Sequence, residues 1–312
     1  MKRRLTEIMR AELPEVPLPT DLSPVREAEY SAVEKLAEGS AAAVARQREA
    51  VEERLYLPLE VRTVNAEIPL RLIPGGSFRR GVPENIPEVT PRPETGTFDG
   101  DSTIEVLIPS AFYASKYEIT LGQWKTVMGA EPEGMPENSS ELWPVTNITW
   151  SQAVEFCSRL NALQDVAEGT YRLMNENEWE YTCRAGTSTP WYTGNQEQDA
   201  RRAGWYAGNS DGQLHPVGQR IPNAWGVFDS HGNAWEWCLD VYLPESQNTE
   251  KNRLDQNAAY RVIRGGGFDS ALSHSRASHR AKNRKSNARP NLGFRIMRIL
   301  GDEVPLPDAA SP

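Results

Sequence analysis

The stretch RVIRGGGFDSALSHSRASHRAKNRKSNARPNLGFRIM, Arg261 to Met297, sets the reading of this chain. With Arg298 it gathers ten basic residues, Arg261, Arg264, Arg276, Arg280, Lys282, Arg284, Lys285, Arg289, Arg295 and Arg298, against a single acid, Asp269. The segment thus carries +9 inside a chain of net charge −9, which leaves −18 for the remainder. A concave basic surface concentrates anions and acidic segments. The segment therefore reads in two ways: as a groove that grips an anion, or as a set of arginines that neutralise acidic parts of the same fold.

Working outward, 312 residues at 38% hydrophobic content suffice for one large core or two modest ones, and one is expected. Nine Trp against seven Phe, with 23 Gly and 23 Pro, point to a loop-rich fold closed by large flat rings and many turns. The opening MKRRLTEIMRAELPE has basic residues with no apolar run behind them, and no segment reaches membrane-spanning length. A cytoplasmic setting without a membrane anchor is expected. Cys157, Cys183 and Cys238 are widely spaced, fit no zinc-ligand pattern and read as buried free thiols of a reducing compartment.

Residues 22–59 are rich in Ala, Glu and Arg, with Tyr30, Val33, Leu36 and Ala37 at helical spacing. Residues 1–66 are accordingly expected to form an N-terminal helical arm that lies on its own domain, docks a partner or mediates oligomerisation. Residues 67–300 are expected to form one domain, and 301–312 a flexible tail. IPLRLIPGGSFRRG, from Ile68, reads as two strands around a Pro-Gly-Gly turn. LGQWKTVMG reads as a short helix with Leu121, Trp124 and Val127 inward. Ser151 caps a second helix whose Ala153, Val154, Phe156, Cys157, Leu160 and Leu163 share a face. Asn175 with Glu178 three residues on opens a third, ending at Gly186. From there to Leu239 the chain reads as nearly all loop, held by its tryptophans.

Several chemistries compete for this loop-rich half. Asp229 and Glu236, with Gly232 between them, suit a calcium ion, because a hard cation takes carboxylates and backbone carbonyls from an irregular turn. His215, His231, His274 and His279 with a carboxylate such as Asp269 suit Fe(II) by ligand type, but no HxxH or HxD spacing is present. The serines near His274 and His279 lie in no nucleophile elbow. Gly265-Gly-Gly267 precedes no helix and no Lys-Ser/Thr, and so is no phosphate loop. A chain pI near 5.2 argues against nucleic acid.

The segments FYASKYEITLGQWKTVMG, PVTNITWSQAVEFCSRLN, YRLMNENEWEYTCRAG, PNAWGVFDSHGNAWEWC, and RVIRGGGF through NLGFR resemble, in order and spacing, the formylglycine-generating enzyme or sulfatase-modifying factor (FGE-sulfatase) domain. The resemblance covers about Ile68 to Leu300 and implies an α+β chain with a C-type lectin-like fold of few helices, a small twisted sheet and long loops. It further implies a calcium site built from the side chains of Asp229 and Glu236 and the carbonyls of Gly232 and Ala234. A second calcium site of the family would begin where this chain reads Ala203-Gly-Trp205 without the family's Asn, so one calcium is expected rather than two. Catalytic members hold copper through two cysteines five apart after a Gly-Gly-Ser turn. Here those positions are Ser270 and Ser275, and the serine of the turn is Gly267. A hydroxyl does not replace a thiolate on Cu(I), so neither copper nor conversion of a substrate cysteine to formylglycine is expected. The resulting expectation is a non-catalytic or altered member that binds a peptide, protein or anionic ligand in a basic groove of Trp235, Gly267, Ser270, Ser275, Arg276 and Arg280. The alternative is a metal-dependent oxidoreductase of the non-haem iron type with His and carboxylate ligands.

Overall fold

A computed structural model describes residues 58–81, 103–136, 139–243 and 255–300 of the chain. The expected helical arm up to residue 57, the acidic loop at 82–102 and the expected tail at 301–312 lie outside the described residues. The elements are a mixture of short strands and short helices, an α+β arrangement. Strand β1 (Glu60–Arg62) pairs antiparallel with β2 (Pro69–Ile73), so the sheet begins earlier than the boundary at 66 expected from composition. Strand β3 (Gly76–Arg80) pairs with β4 (Ile104–Ile108) as a separate ribbon. The Pro-Gly-Gly segment therefore joins two strands that do not pair with each other. β2 instead lies against β5 (Phe112–Ser115), and the reason is burial: PLRLI and FYAS are apolar on both faces and need a covered sheet, while β3 is half exposed.

The five-stranded sheet is completed by β6 (Tyr171–Leu173) and β11 (Ile296–Ile299) in the order β1-β2-β5-β11-β6. The last strand thus sits between β5 and β6, antiparallel to both. Helix α1 (Leu121–Met128) starts on a Thr120–Gln123 capping box and stops at Gly129, whose φ of 83° is the left-handed region. Helix α2 (Trp150–Leu163) is capped by Thr149 with Gln152; Ser151, the expected cap, is exposed in the first turn. Its Ala153, Phe156, Cys157 and Leu160 are buried, as their spacing predicts, while Val154 is half-buried and Leu163, at the end of the helix, is 42% exposed. Trp124 stacks on Phe156 at 5.7 Å, and Phe294 meets both rings edge-on, at 6.2 and 5.2 Å.

Helix α3 (Glu176–Arg184) opens on the expected Asn175–Glu178 box and ends through left-handed Ala185 and Gly186. The stretch read as loop contains one more helix, α4 (Glu197–Ala203), and ends in β7 (Trp235–Val241). The remainder is held by side chains. Asn223 Nδ2 donates to the carbonyls of Thr182 and Cys183 at the end of α3, at 2.7 and 3.1 Å, while its Oδ1 accepts from the amides of Trp225 and Val227. Trp191 and Trp225 are each only 1% exposed, which confirms that tryptophans close this region. The second sheet runs β10 (Leu292–Gly293), β7, β8 (Tyr260–Arg264), β9 (Ala281–Arg284), with β10 parallel to β7.

Candidate functional site

Four arginines of the 261–298 segment point inward. Arg264 on β8 donates to Glu180 of α3 and, through Nη1, to the carbonyl of His279 at 2.7 Å. Arg280 Nε donates to Glu176 Oε2 at 2.6 Å, and Arg80 reaches the same carboxylate at 3.4 Å. Glu176 and Glu180 lie one turn apart on α3, so one face of that helix buries two acids among four guanidiniums, Arg184 being the fourth. Burial alone would raise the Glu176 carboxyl, but Arg280, Arg80 and Arg264 hold it below the ordinary carboxylate range. Arg295 grips Glu236 at both oxygens, each 2.6 Å away. Arg261 lies 4.0 Å from the centre of the Trp150 ring and donates to two backbone carbonyls. For Arg264, Arg280 and Arg295 the neutralising reading holds, while Arg261 is spent on an indole ring and backbone carbonyls. Arg280 does not line a groove: it is 5% exposed and spent on Glu176.

Of the other expected groove residues, Trp235, Gly267 and Ser270 lie in mutual contact but are buried, Trp235 and Ser270 at 6% and 8% exposure, and Ser275, 1% exposed, sits against Trp191. Ser270 Oγ accepts from Trp235 Nε1 at 3.0 Å and from the Gly267 amide at 2.9 Å. Gly267 packs closely here: a Cβ would stand 3.0 Å from Trp235 Cδ1, so the indole would have to give by a few tenths of an ångström. Ser275 Oγ accepts from Trp191 Nε1 at 3.0 Å and donates to the Leu272 carbonyl. Both serines are thus acceptors for a buried indole N–H. Arg276 is half-buried, its Nε donating to the Ser273 carbonyl. Two residues that the sequence reading left out of the groove complete it: His274 and His279 stack at 4.7 Å and face Trp235 at 6.1 and 5.8 Å. Burial lowers the basicity of both rings, that of His279 to about 3, with the neighbouring His274 and Arg276 adding to the effect. Only the SHSRASH spacing hinted at this pair, since no helical or strand period relates the two positions.

Of the expected iron ligands only His274 and His279 stand together, and His231, His215 and Asp269 are held by other partners. His231 is buried between the Tyr192 amide, which donates to Nε2 at 3.1 Å, and the Ser275 carbonyl, which accepts from Nδ1 at 2.7 Å. That pair of contacts keeps the ring neutral, and burial lowers its pKa to about 3. His215 stacks on Trp205 at 3.6 Å, and Asp269 is exposed and accepts from Asn291. Among the described residues no three His, Cys, Asp or Glu side chains gather as a metal would need. Cys157, Cys183 and Cys238 are free and buried, and burial pushes the Cys183 thiol up to about 12.

The Asp229–Glu236 turn is held by a backbone crossing. A Cβ on Gly204 would fall 1.7 Å from the His231 carbonyl oxygen, and one on Gly232 would fall 1.9 Å from that of Trp205. Asn233, at φ 64°, ties four segments through Glu118, His215, Trp205 and Phe268. Asp229 Oδ2 accepts from the Gly218 amide at 2.6 Å, while Oδ1 is buried without a hydrogen-bond partner. Burial raises Asp229 to about 6 and, with Asp229 and Glu236 nearby, raises Glu118 well above the carboxylate range. Hard oxygen donors and an unspent lone pair at Asp229 suit a calcium ion. Glu236, however, has both oxygens on Arg295 and one also on Trp179 Nε1, so the donor set fits at Asp229 and only in part at Glu236.

A family model described as the sulfatase-modifying factor enzyme 1-like domain (FGE-sulfatase) matches residues 60–300. The chain belongs to this family. Its similarity to a chaperone protein, LppX of Paenibacillus barcinonensis, is 28% identity over 238 residues, covering 61% of this chain and 80% of that one. The formylglycine-generating enzyme of Streptomyces coelicolor is 30% identical over 196 residues, 55% of this chain and 59% of the enzyme. The inactive C-alpha-formylglycine-generating enzyme 2 of Mus musculus is 30% identical over 175 residues, 51% and 50% of the two chains. The chain thus spans half to three-fifths of these two relatives. Among solved structures, PvdO of Pseudomonas aeruginosa superposes with TM-score 0.66 at 23% identity, covering 77% of this chain and 98% of that one. Treponema denticola variable protein 1 gives 0.64 at 21%, with 78% and 99% covered. These likenesses establish the fold, the C-type lectin-like fold of the FGE-sulfatase family. The family's copper positions are serines here, and among the described residues no helix is long and apolar enough to cross a membrane.

Proposed function

We propose that this FGE-sulfatase member binds a peptide or protein ligand on the face around Trp235, where His274 and Arg276 are half-buried and Gly267, Ser270 and Ser275 form the buried floor, and performs no copper-thiolate chemistry. The observation that carries this reading is the fate of the two hydroxyls: Ser270 and Ser275 each accept an indole N–H, from Trp235 and Trp191. A hydroxyl held in this way is a fixed acceptor, neither a soft metal ligand nor an activated nucleophile. With Arg280 withdrawn to Glu176, the face is aromatic and polar with one half-buried cation, Arg276. Such a mixture suits a peptide better than a small polyanion. Similarity to a relative named a chaperone protein and to one named inactive supports a protein-facing role without catalysis.

A calcium ion belongs to the same reading, held by Asp229 Oδ1 with the carbonyls of Gly232 and Ala234, and facing Glu236. A hard cation there would settle the excess of three buried carboxylates, Glu118, Asp229 and Glu236, over Arg295. The free buried thiols accord with a cytoplasmic setting. Metal analysis of the purified chain, together with incubation against a cysteine-containing sulfatase-type peptide, tests the reading. Calcium alone and no aldehyde supports it; stoichiometric copper or iron, or aldehyde on the peptide, overturns it.

A further inference from the structure

Two basic residues of the segment that the core does not use stand side by side over one pair of rings. Lys282, Arg284 and Arg289 are exposed, and among the described residues no carboxylate stands within ion-pair distance of Lys282 or Arg284. Lys282 and Arg284 lie on β9, the edge strand of the four-stranded sheet, whose one sheet neighbour among the described residues is β8. Strand alternation sets both on one face, while Asn283 between them is buried and donates to the Asn287 carbonyl. Beneath that face lie two tyrosines. Lys282 Nζ stands 5.1 Å from the ring centre of Tyr242 and 5.3 Å from that of Tyr260, and Arg284 stands 5.3 Å from Tyr260. Tyr260 is itself 37% exposed and pairs across the ladder with Arg284. The two charged heads therefore lie over aromatic faces at the exposed edge.

We infer that the β9 edge docks an acidic, extended segment of a partner protein, which adds to the sheet as a fifth strand. An edge strand presents backbone N–H and C=O groups on its open side, and an added strand satisfies them while its alternate side chains meet those of the edge. Two positions along a strand span about 7 Å, so Lys282 and Arg284 match carboxylates at alternate positions of the incoming segment. Charge selects the same partner: the strip is cationic and, among the described residues, without a paired carboxylate, in a chain of net charge −9. That overall charge of −9 disfavours nucleic acid, which also cannot pair with a backbone edge. The inference does not depend on what the Ser270–Arg276 face binds.

The test uses the full chain and a fluorescent eight-residue peptide alternating Glu with Thr, read by anisotropy at low ionic strength. Binding is expected to fall by about tenfold in the double variant Lys282→Glu, Arg284→Glu, corresponding to about 1.4 kcal/mol, and to survive Arg276→Ala. Both substituted side chains are exposed, and the milder pair Lys282→Gln, Arg284→Gln should show a smaller loss if the reversal disturbs folding. The same peptide with alternate backbone amides N-methylated should not bind, since it keeps its charge and loses the ladder. The inference is overturned if the alternating peptide fails to bind, or if the double variant binds it as well as the original chain. Equal affinity for the methylated peptide or for an oligonucleotide of the same charge also overturns it, because either would show a charge patch without strand addition.

Discussion

Glu180→Gln should cost this protein about ten times more stability than Glu155→Gln, although each removes one carboxylate from an Arg–Glu pair four residues apart on a helix. On α2, Glu155 meets Arg159 at 2.6 Å with side chains 48% and 49% exposed. On α3, Glu180 meets Arg184 at 2.8 Å with 1% and 3% exposed, and its second oxygen takes Arg264, which is 0% exposed. Water competes for the first pair, so its loss costs within about 0.5 kcal/mol. The second substitution keeps side-chain volume but leaves Arg184 and Arg264 buried without their carboxylate. Breaking such a pair costs about 3–5 kcal/mol, a large share of a domain stability on the order of 5–15 kcal/mol. Urea unfolding at neutral pH, followed by the fluorescence of the nine tryptophans, reads both variants. Glu180→Gln should shift the midpoint strongly at low and high salt alike, and Glu155→Gln hardly at all. Equal effects to within about 1 kcal/mol would refute the assignment of Glu180 as counter-charge to two desolvated guanidiniums.

Ser275→Ala should cost about 1–3 kcal/mol, because the Trp191 indole N–H loses its acceptor in a buried site; a neutral result by urea unfolding would mean that water reaches the indole. Gly204→Ala should lower stability by more than about 4 kcal/mol or prevent folding, since its Cβ would overlap the His231 carbonyl; a soluble variant with an unchanged melting temperature would contradict the backbone crossing. The folded-state pKa of His279 lies near 3, below the ordinary 6.5, so the buried neutral ring contributes fully above pH 6.5 and that contribution is lost as pH falls toward 3. At pH 5 the loss is about 2 kcal/mol. The original chain should therefore weaken between pH 7 and pH 5 by that much more than His279→Gln does, and parallel losses would place the ring in water.

The elements that could be read from the residues alone are those built by near neighbours. Thr120 with Gln123 and Asn175 with Glu178 close capping boxes within one helical turn, and Gly129 ends α1 because only a left-handed residue fits there. Two residues of error at α2 arose because Thr149 and Ser151 are chemically equivalent caps, and only the course of the chain chooses between them. Pairing of β2 with β5 and not with β3 was not legible, because a strand's partner depends on which faces the rest of the fold covers.

The same division runs through the candidate site. Sequence by itself determined the fold family, the concentration of charge in 261–298, and serines where copper thiolates would stand, because each is a matter of residue identity and order. It could not divide the ten basic residues. Arg264 and Arg280 are consumed by Glu180 and Glu176, which lie 84 and 104 positions away, while Lys282 and Arg284 are left outside. The difference arises because Arg264 at the end of β8 and Arg280 just before β9 are brought against the acids of α3, and that placement exists only in the tertiary structure. The hydroxyls of Ser270 and Ser275 follow the same rule: their indole partners are brought to them by loops that the tertiary structure alone folds back.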